Sequence, residues 1–142
     1  MDVKCIWEHN GNDTILYTRD YIGAFTRGQS LKEAVDKMPM EINSYMEWLD
    51  QGCVEEIQVS IVQEKESNLD IKDADSDVLF FSEELEMKIE EYHELKELAL
   101  KSAKDFQGLY EGIPNKNTSC LVHRKTFYGP VPRTAEEMYQ HT

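Results

Sequence analysis

The chain has 142 residues, 40% of them hydrophobic and 30% charged, and its 28 acidic residues against 15 basic ones give a formal net charge of −13. This length fits one domain or two very small ones, and the composition is that of a folded chain. The longest apolar run, residues 78–81, is too short for a membrane span, and the negative charge disfavours nonspecific nucleic-acid binding.

The first third of the chain predicts three short strands. A strand-like run over residues 4–9 is followed by Asn10 and Gly11, and Asn-Gly is a strong signal for a hairpin turn. Residues 14–21 are rich in strand-forming side chains. A brief third strand is expected at residues 24–27.

A long helix and a fourth strand are predicted next. Ser30 and Glu33 have the spacing of a capping box, and apolar residues then recur at helical spacing as far as Leu49. Pro39 lies inside this stretch and is expected to kink the helix. Beyond the helix, apolar and polar residues alternate over residues 54–63, which predicts a half-buried strand.

The second half of the chain predicts helices. Residues 64–77 are highly charged and are interpreted as an acidic linker. Ser82 is expected to cap a second long helix, with acids near its start and lysines near its end. Thr134 and Glu137 form another capping box, which opens a helix that stops at Thr142. This early stop suggests a chain cut from a longer protein, or a tail that packs only in an assembly.

Residues 1–63 resemble the HicB-like family. The resemblance rests on a turn and helix start in which five residues carry most of the match: Gly23, Gly28, Ser30, Leu31 and Ala34. It implies a small antiparallel-rich βββαβ sheet with one packed helix, a degraded relative of the RNase-H fold. Members of that family bind and mask a small basic RNA-cleaving toxin, and they usually oligomerise. Their common DNA-binding extensions have no counterpart in residues 78–142, so the resemblance supports a binding module rather than an antitoxin.

Residues 78–142 resemble the first two helices of a DinB-like domain, a family that includes metal-binding members. The match consists of a long helix, a loop beginning at His123, and a second helix entered through Pro132, Arg133 and Thr134. In that family the second helix contributes a histidine metal ligand, and His141 is the matching position. A divalent metal is therefore implied only for a longer chain that supplies the remaining ligands.

Candidate site residues are few. An interaction surface is predicted from four side chains of the first module: Trp48, Tyr21, Phe25 and Arg27. Four acids could imitate an RNase-H metal cluster: Asp13, Asp20, Glu33 and Asp36. Glu33 is explained by the capping box and Asp36 by an exposed helix face, and the HicB-like resemblance implies a fold without the catalytic acids. No catalytic residue and no cofactor are assigned within this chain.

Two functions follow from these observations. The first is a non-enzymatic protein-interaction module of the HicB-like type, with a protein partner or self-association, because an acidic domain suits a basic partner. The alternative is the N-terminal half of a longer DinB-like metal-dependent enzyme. Three widely separated cysteines, Cys5, Cys53 and Cys120, are typical of reduced thiols and predict a cytoplasmic protein. The short apolar runs predict no membrane segment.

Overall fold

The computed structural model describes residues 1–73, 75–126 and 129–142. The chain divides into two compact units, Met1–Leu85 and Glu86–Thr142, called unit 1 and unit 2 below. The predicted α+β class is confirmed, with a small, mostly antiparallel sheet, one helix packed on it, a long helix and a short C-terminal helix. No helix in the described ranges is both long and apolar enough to cross a lipid bilayer.

Unit 1 is built on a four-stranded sheet with the strand order β3-β2-β1-β4. Its strands are β1 (Asp2–Asn10), β2 (Asp13–Thr18), β3 (Phe25–Gly28) and β4 (Gln58–Glu66). The predicted hairpin turn is confirmed between β1 and β2, where Gly11 adopts a φ of 59°. β4 pairs parallel with β1 and begins four residues later than the sequence pattern predicted.

Helix α1 (Leu31–Trp48) covers one face of this sheet. Ser30 caps it as predicted, and its hydroxyl accepts a hydrogen bond from the Glu33 backbone N–H at 3.2 Å. The Glu33 carboxylate accepts from the Gln29 N–H at 2.9 Å, one residue before the cap. Pro39 lies inside the helix, which continues beyond it. The core joins three fully buried helix residues to both central strands: Ala34, Met38 and Ile42.

The opposite face of the sheet is covered by the described residues of the segment after β4, 67–73 and 75–85. Arg27 Nη1 donates to the carbonyl of Ile71 at 2.5 Å, and the rings of Tyr17 and Phe80 lie 5.5 Å apart. The acidic linker expected at 64–77 corresponds here to the end of β4 followed by a packed segment, in which Ser67, Ile71 and Asp75 are buried. The division between the units follows Leu85.

Unit 2 contains the long and the short helix. Helix α2 (Ile89–Gly112) begins at Ile89 and not at the predicted Ser82, because residues 81–84 form a 3₁₀ turn instead. Two short strands, β5 (Lys125–Thr126) and β6 (Gly129–Pro130), pair antiparallel. The capping box of Thr134 and Glu137 is confirmed at the start of helix α3 (Ala135–His141).

Candidate functional site

Three aromatic side chains of unit 1 form a row along the helix-covered side of the sheet. The rings of Tyr21 and Tyr45 meet edge to face with centroids 5.9 Å apart, and Tyr45 meets Trp48 in the same way at 5.6 Å. Tyr45 and Trp48 are three residues apart on α1, so their side chains lie on the same face of the helix. We call Tyr21, Tyr45 and Trp48 the aromatic row.

The loop between β2 and β3 holds the aromatic row in place. The Tyr45 hydroxyl donates to the carbonyl of Ile22 at 3.0 Å, and Gly23 makes the turn with a φ of 98°. The Ile22 side chain is 47% exposed beside this contact. Partial burial raises the pKa of the Tyr45 hydroxyl, so this group stays a neutral donor through the physiological range. The row thus combines ordered aromatic rings with an exposed aliphatic neighbour.

The other two residues predicted for the interaction surface lie on the opposite face of the sheet. Thr26 donates to the carbonyl of Ala34 in α1, so its neighbours Phe25 and Arg27 point away from the helix. The Arg27 guanidinium lies 5.7 Å from the centroid of the Phe25 ring, which is itself 6.3 Å from Tyr17. The structure therefore connects Tyr21 to Trp48 through Tyr45 on one face and brings Phe25 close to Arg27 on the other.

A buried hydrogen-bond chain connects the sheet with the segment that covers its second face. The Tyr17 hydroxyl donates to Ser76 Oγ at 2.8 Å, and Ser76 Oγ donates to Glu8 Oε2 at 2.5 Å. The backbone N–H of Asp77 donates to the other carboxylate oxygen of Glu8 at 3.0 Å. Burial raises the pKa of Tyr17, and Glu8 adds to that shift. Because Glu8 is fully buried, this chain serves the fold and is out of reach of a substrate.

The candidate metal ligand His141 is exposed at the end of α3. Within the described ranges no group of three or more His, Cys, Asp or Glu side chains is arranged to hold a metal ion. His9 stacks on Trp7 with centroids 4.2 Å apart and forms a 3.1 Å hydrogen bond with Glu64, and His123 contacts Arg133. All three cysteines are free: Cys5 is buried, whereas Cys53 and Cys120 are exposed.

Three of the four acids considered for an RNase-H-like cluster have local partners. Asp20 pairs with Arg19 at 2.7 Å, and Glu33 pairs with Lys37 at 2.6 Å. Asp36 pairs with Lys32 one helical turn earlier. Hydrogen bonds from Lys37 and from the Gln29 backbone lower the pKa of Glu33, which keeps it ionised as a helix-start acid.

Unit 2 carries an apolar groove that the sequence analysis did not identify. It has a volume of about 760 Å³ and is lined mainly by six apolar or aromatic residues: Phe106, Leu109, Tyr110, Ile113, Leu121 and Met138. We call it the unit 2 groove. The first four follow one another at i, i+3, i+4 and i+7 along the end of α2 and its C-cap Ile113, and this spacing could have indicated a shared face. The contribution of the loop before α3 could not be read from any local pattern.

The wall of the groove is fixed by contacts between α2 and α3. The rings of Tyr110 and Tyr139 stack with centroids 4.1 Å apart, and the Tyr110 hydroxyl donates to Glu136 Oε2 at 2.5 Å. This hydrogen bond raises the pKa of Tyr110 and lowers that of Glu136. The stacked pair therefore holds α3 against the last turns of α2.

Comparison with known proteins gives no relative for this chain. No protein-family model matches it, and no curated protein or solved structure matches it significantly. The HicB-like and DinB-like resemblances therefore rest on the sequence motifs named above.

Proposed function

We propose that the chain is a non-enzymatic protein-interaction module of the HicB-like type, in which unit 1 binds a basic protein in the cytoplasm. The observation that carries the proposal is the distribution of charge. Unit 1 contains 19 acidic and 7 basic residues, a net charge of −12, so it holds nearly all of the −13 of the whole chain. Such a charge accelerates the encounter with a basic partner and disfavours acidic ones.

The aromatic row supplies the contact surface in this proposal. Tyrosine and tryptophan are enriched among the few residues that carry most of the binding energy in protein interfaces. Tyr21, Tyr45 and Trp48 are already ordered by their mutual contacts, so binding costs little side-chain entropy. Asp20 and Glu47, both exposed, neighbour the row in sequence and would contribute to an acidic rim.

The resemblance to the HicB-like family supports the same proposal from a second direction. It implies a small basic protein as the partner, and oligomerisation of the binding module. Arginine and lysine side chains of such a partner could lie over the aromatic rings and face the acidic rim, which combines cation–π attraction with ion pairing.

The test compares the proteins that bind to the wild-type chain with those that bind to two of its variants. The tagged full chain and its Trp48→Ala variant are used to isolate partners from the native cell, and enriched proteins are quantified by mass spectrometry. Met40→Ala is the matched control, because Met40 is 72% exposed on the same helix and lies outside the row. Thermal unfolding followed by circular dichroism shows that each variant is folded.

We expect a basic protein that is enriched by the wild type and by Met40→Ala and is lost with Trp48→Ala. A set of captured proteins that is the same for all three baits would contradict the proposal. The Ile22→Ser variant provides an independent test, since it alters the exposed neighbour of the row without removing an aromatic ring.

A further inference from the structure

The unit 2 groove has the dimensions and lining of a small-molecule site. Ligand pockets in proteins commonly enclose about 300–1,000 Å³ and combine an apolar wall with a few polar groups. The groove encloses about 760 Å³, and its wall is formed by leucine, isoleucine, methionine and aromatic side chains. Leu109 is 71% exposed and Leu121 is 49% exposed, so apolar surface remains open to a ligand.

Arg133 is the charged side chain in the groove lining. Its Nε and Nη2 donate to the carbonyl of Leu121 at 2.8 and 2.6 Å, and its Nη1 lies 2.6 Å from Nε2 of His123. Among the described ion pairs none joins a carboxylate to the Arg133 guanidinium. A guanidinium has five N–H donors, so these contacts leave donors for an anion.

The absence of a carboxylate partner for Arg133 in the described ranges is notable in a chain with 28 acidic residues and 15 basic ones. The nearest acid in sequence, Glu137, accepts from the backbone N–H groups of Arg133 and Thr134 at 2.7 and 3.1 Å. Those two hydrogen bonds, with a smaller contribution from the nearby Arg133 charge, lower the pKa of Glu137, and its carboxylate takes part in the capping box of α3. The Arg133 guanidinium therefore lines the groove without a direct carboxylate contact in the described part of the chain.

The position of the guanidinium is fixed by the loop before α3. Ser119 Oγ accepts from the Leu121 N–H at 3.0 Å, and the carbonyl of the same Leu121 accepts from two guanidinium nitrogens of Arg133. Because one carbonyl binds two nitrogens, the guanidinium is held in a defined orientation before any ligand arrives. Preorganised donors lose less entropy when they bind a carboxylate.

From these observations we propose that the unit 2 groove binds a small carboxylate with an apolar body, such as a medium-chain fatty acid. The carboxylate pairs with the Arg133 guanidinium, and the apolar body lies along Phe106, Leu109, Ile113 and Met138. This site is independent of the interaction proposed for unit 1, so either proposal can fail without the other.

The most direct test uses the unaltered full chain. Of the six methionines, Met138 is the one that lines the groove, whereas Met38 is fully buried in the unit 1 core. The protein is labelled with ¹³C at the methionine methyl groups and titrated with monomeric decanoate. We expect a saturable shift of the Met138 methyl signal and no shift for Met38. If the Met138 signal shows no saturable shift, or if it shifts with protein concentration when no decanoate is present, the groove does not bind decanoate.

Variants then separate the charge from the apolar wall. Calorimetric titration of Arg133→Gln should show a loss of decanoate affinity of about tenfold or more, because a charge-assisted pair is removed. The affinity for the neutral decanamide should be unchanged. Arg124→Gln, in the same unit and outside the lining, is the control and should bind decanoate like the wild type.

The same comparison is made for the apolar wall. Leu109→Ser should weaken decanoate and decanamide alike, whereas Leu100→Ser, at another exposed position of α2, should weaken neither. Equal decanoate affinity of Arg133→Gln and the wild type would overturn the proposed carboxylate contact. Equal losses of decanoate affinity in Leu109→Ser and Leu100→Ser would indicate that decanoate associates nonspecifically with apolar surface. That result would overturn the proposed site.

Discussion

Ser76 donates a 2.5 Å hydrogen bond to the carboxylate of Glu8, a residue 68 positions earlier that is fully buried in the sheet. The Asp77 N–H donates to the second oxygen of the same carboxylate. Glu8 therefore binds the segment at Ser76 and Asp77 to the face of the sheet that α1 does not cover. Removing these two donors would leave the buried Glu8 carboxyl group without hydrogen-bond partners, and a buried polar group without partners destabilises a fold.

We predict that Glu8→Ala lowers the free energy of unfolding by about 2–3 kcal/mol, since it leaves the Ser76 and Asp77 donors without their acceptor. Glu8→Gln should have a smaller effect, because the amide retains one acceptor oxygen. Urea unfolding followed by circular dichroism measures both. Glu66→Gln, at an exposed position of β4, is the control and should stay near the wild-type value. A Glu8→Ala variant as stable as this control would contradict the proposed anchoring role.

Gly28 lies where the chain approaches the start of α1 too closely for a side chain. A Cβ at this position would lie 2.9 Å from the Glu33 Cβ and 3.0 Å from the Ala34 backbone nitrogen. We predict that Gly28→Ala destabilises the protein by about 1–3 kcal/mol through this clash. Gly108→Ala should instead stabilise it by up to about 1 kcal/mol, because Gly108 is inside α2 with open space around it. Thermal unfolding of the two variants distinguishes them, and a shift of the same sign in both would contradict the explanation.

The Ser30 cap provides a third prediction. Its hydroxyl accepts from the Glu33 N–H, so Ser30→Ala should lower the free energy of unfolding by about 1 kcal/mol. Ser44→Ala changes an exposed serine within the same helix and should have little effect or raise stability slightly. Urea unfolding of the two variants is the measurement. Equal stabilities would show that the cap contributes nothing.

Cys5 should make stability depend on alkaline pH. Burial, with a contribution from Asp2 and Asp20, raises the pKa of the Cys5 thiol from its ordinary value of 9.0 to about 12. Between these values the unfolded chain loses the thiol proton while the folded chain keeps it, so the unfolded state binds fewer protons. The Cys5 contribution to the free energy of unfolding therefore falls as pH rises through this window and is constant below it. Cys5→Ala should reduce the slope of stability against pH in that range, and an unchanged slope would contradict the assignment.

The same burial predicts which thiols react in the folded protein. Iodoacetamide at pH 8 should modify the exposed Cys53 and Cys120 rapidly and leave Cys5 protected until the chain is unfolded. Peptide mapping by mass spectrometry follows each site separately. Modification of Cys5 at the rate of the exposed pair would show that its strand opens readily.

Local sequence signals predicted the local structure well. The Asn-Gly turn, the Ser30 cap and the capping box at Thr134 all depend on residues within four positions of each other, and each was found at its predicted place. The α+β class followed from these elements. Long-range packing was not predictable in the same way. The charges of residues 64–77 indicate a linker, although Ile71 is buried and Ser76 binds Glu8 across 68 residues.

The candidate sites show the same division between local and long-range information. Strand alternation puts Phe25 and Arg27 on the face opposite α1, but the grouping of all four predicted residues into one surface ignored that alternation. The unit 2 groove needed the loop from Ser119 to Leu121 to fold back toward Arg133, and no periodic pattern encodes that contact. The part of the groove that could be predicted from the sequence is the shared face of its α2 residues.

The interaction proposed for unit 1 is tested most directly by titrating the captured basic protein, purified alone, into the full chain. Calorimetry at low and high salt should show an affinity that falls as salt rises, because the −12 charge of unit 1 attracts the partner. Trp48→Ala should weaken binding about tenfold or more at both salt concentrations, and Met40→Ala should leave it unchanged. Equal affinities of Trp48→Ala and Met40→Ala, without any dependence on salt, would contradict the proposed interaction surface.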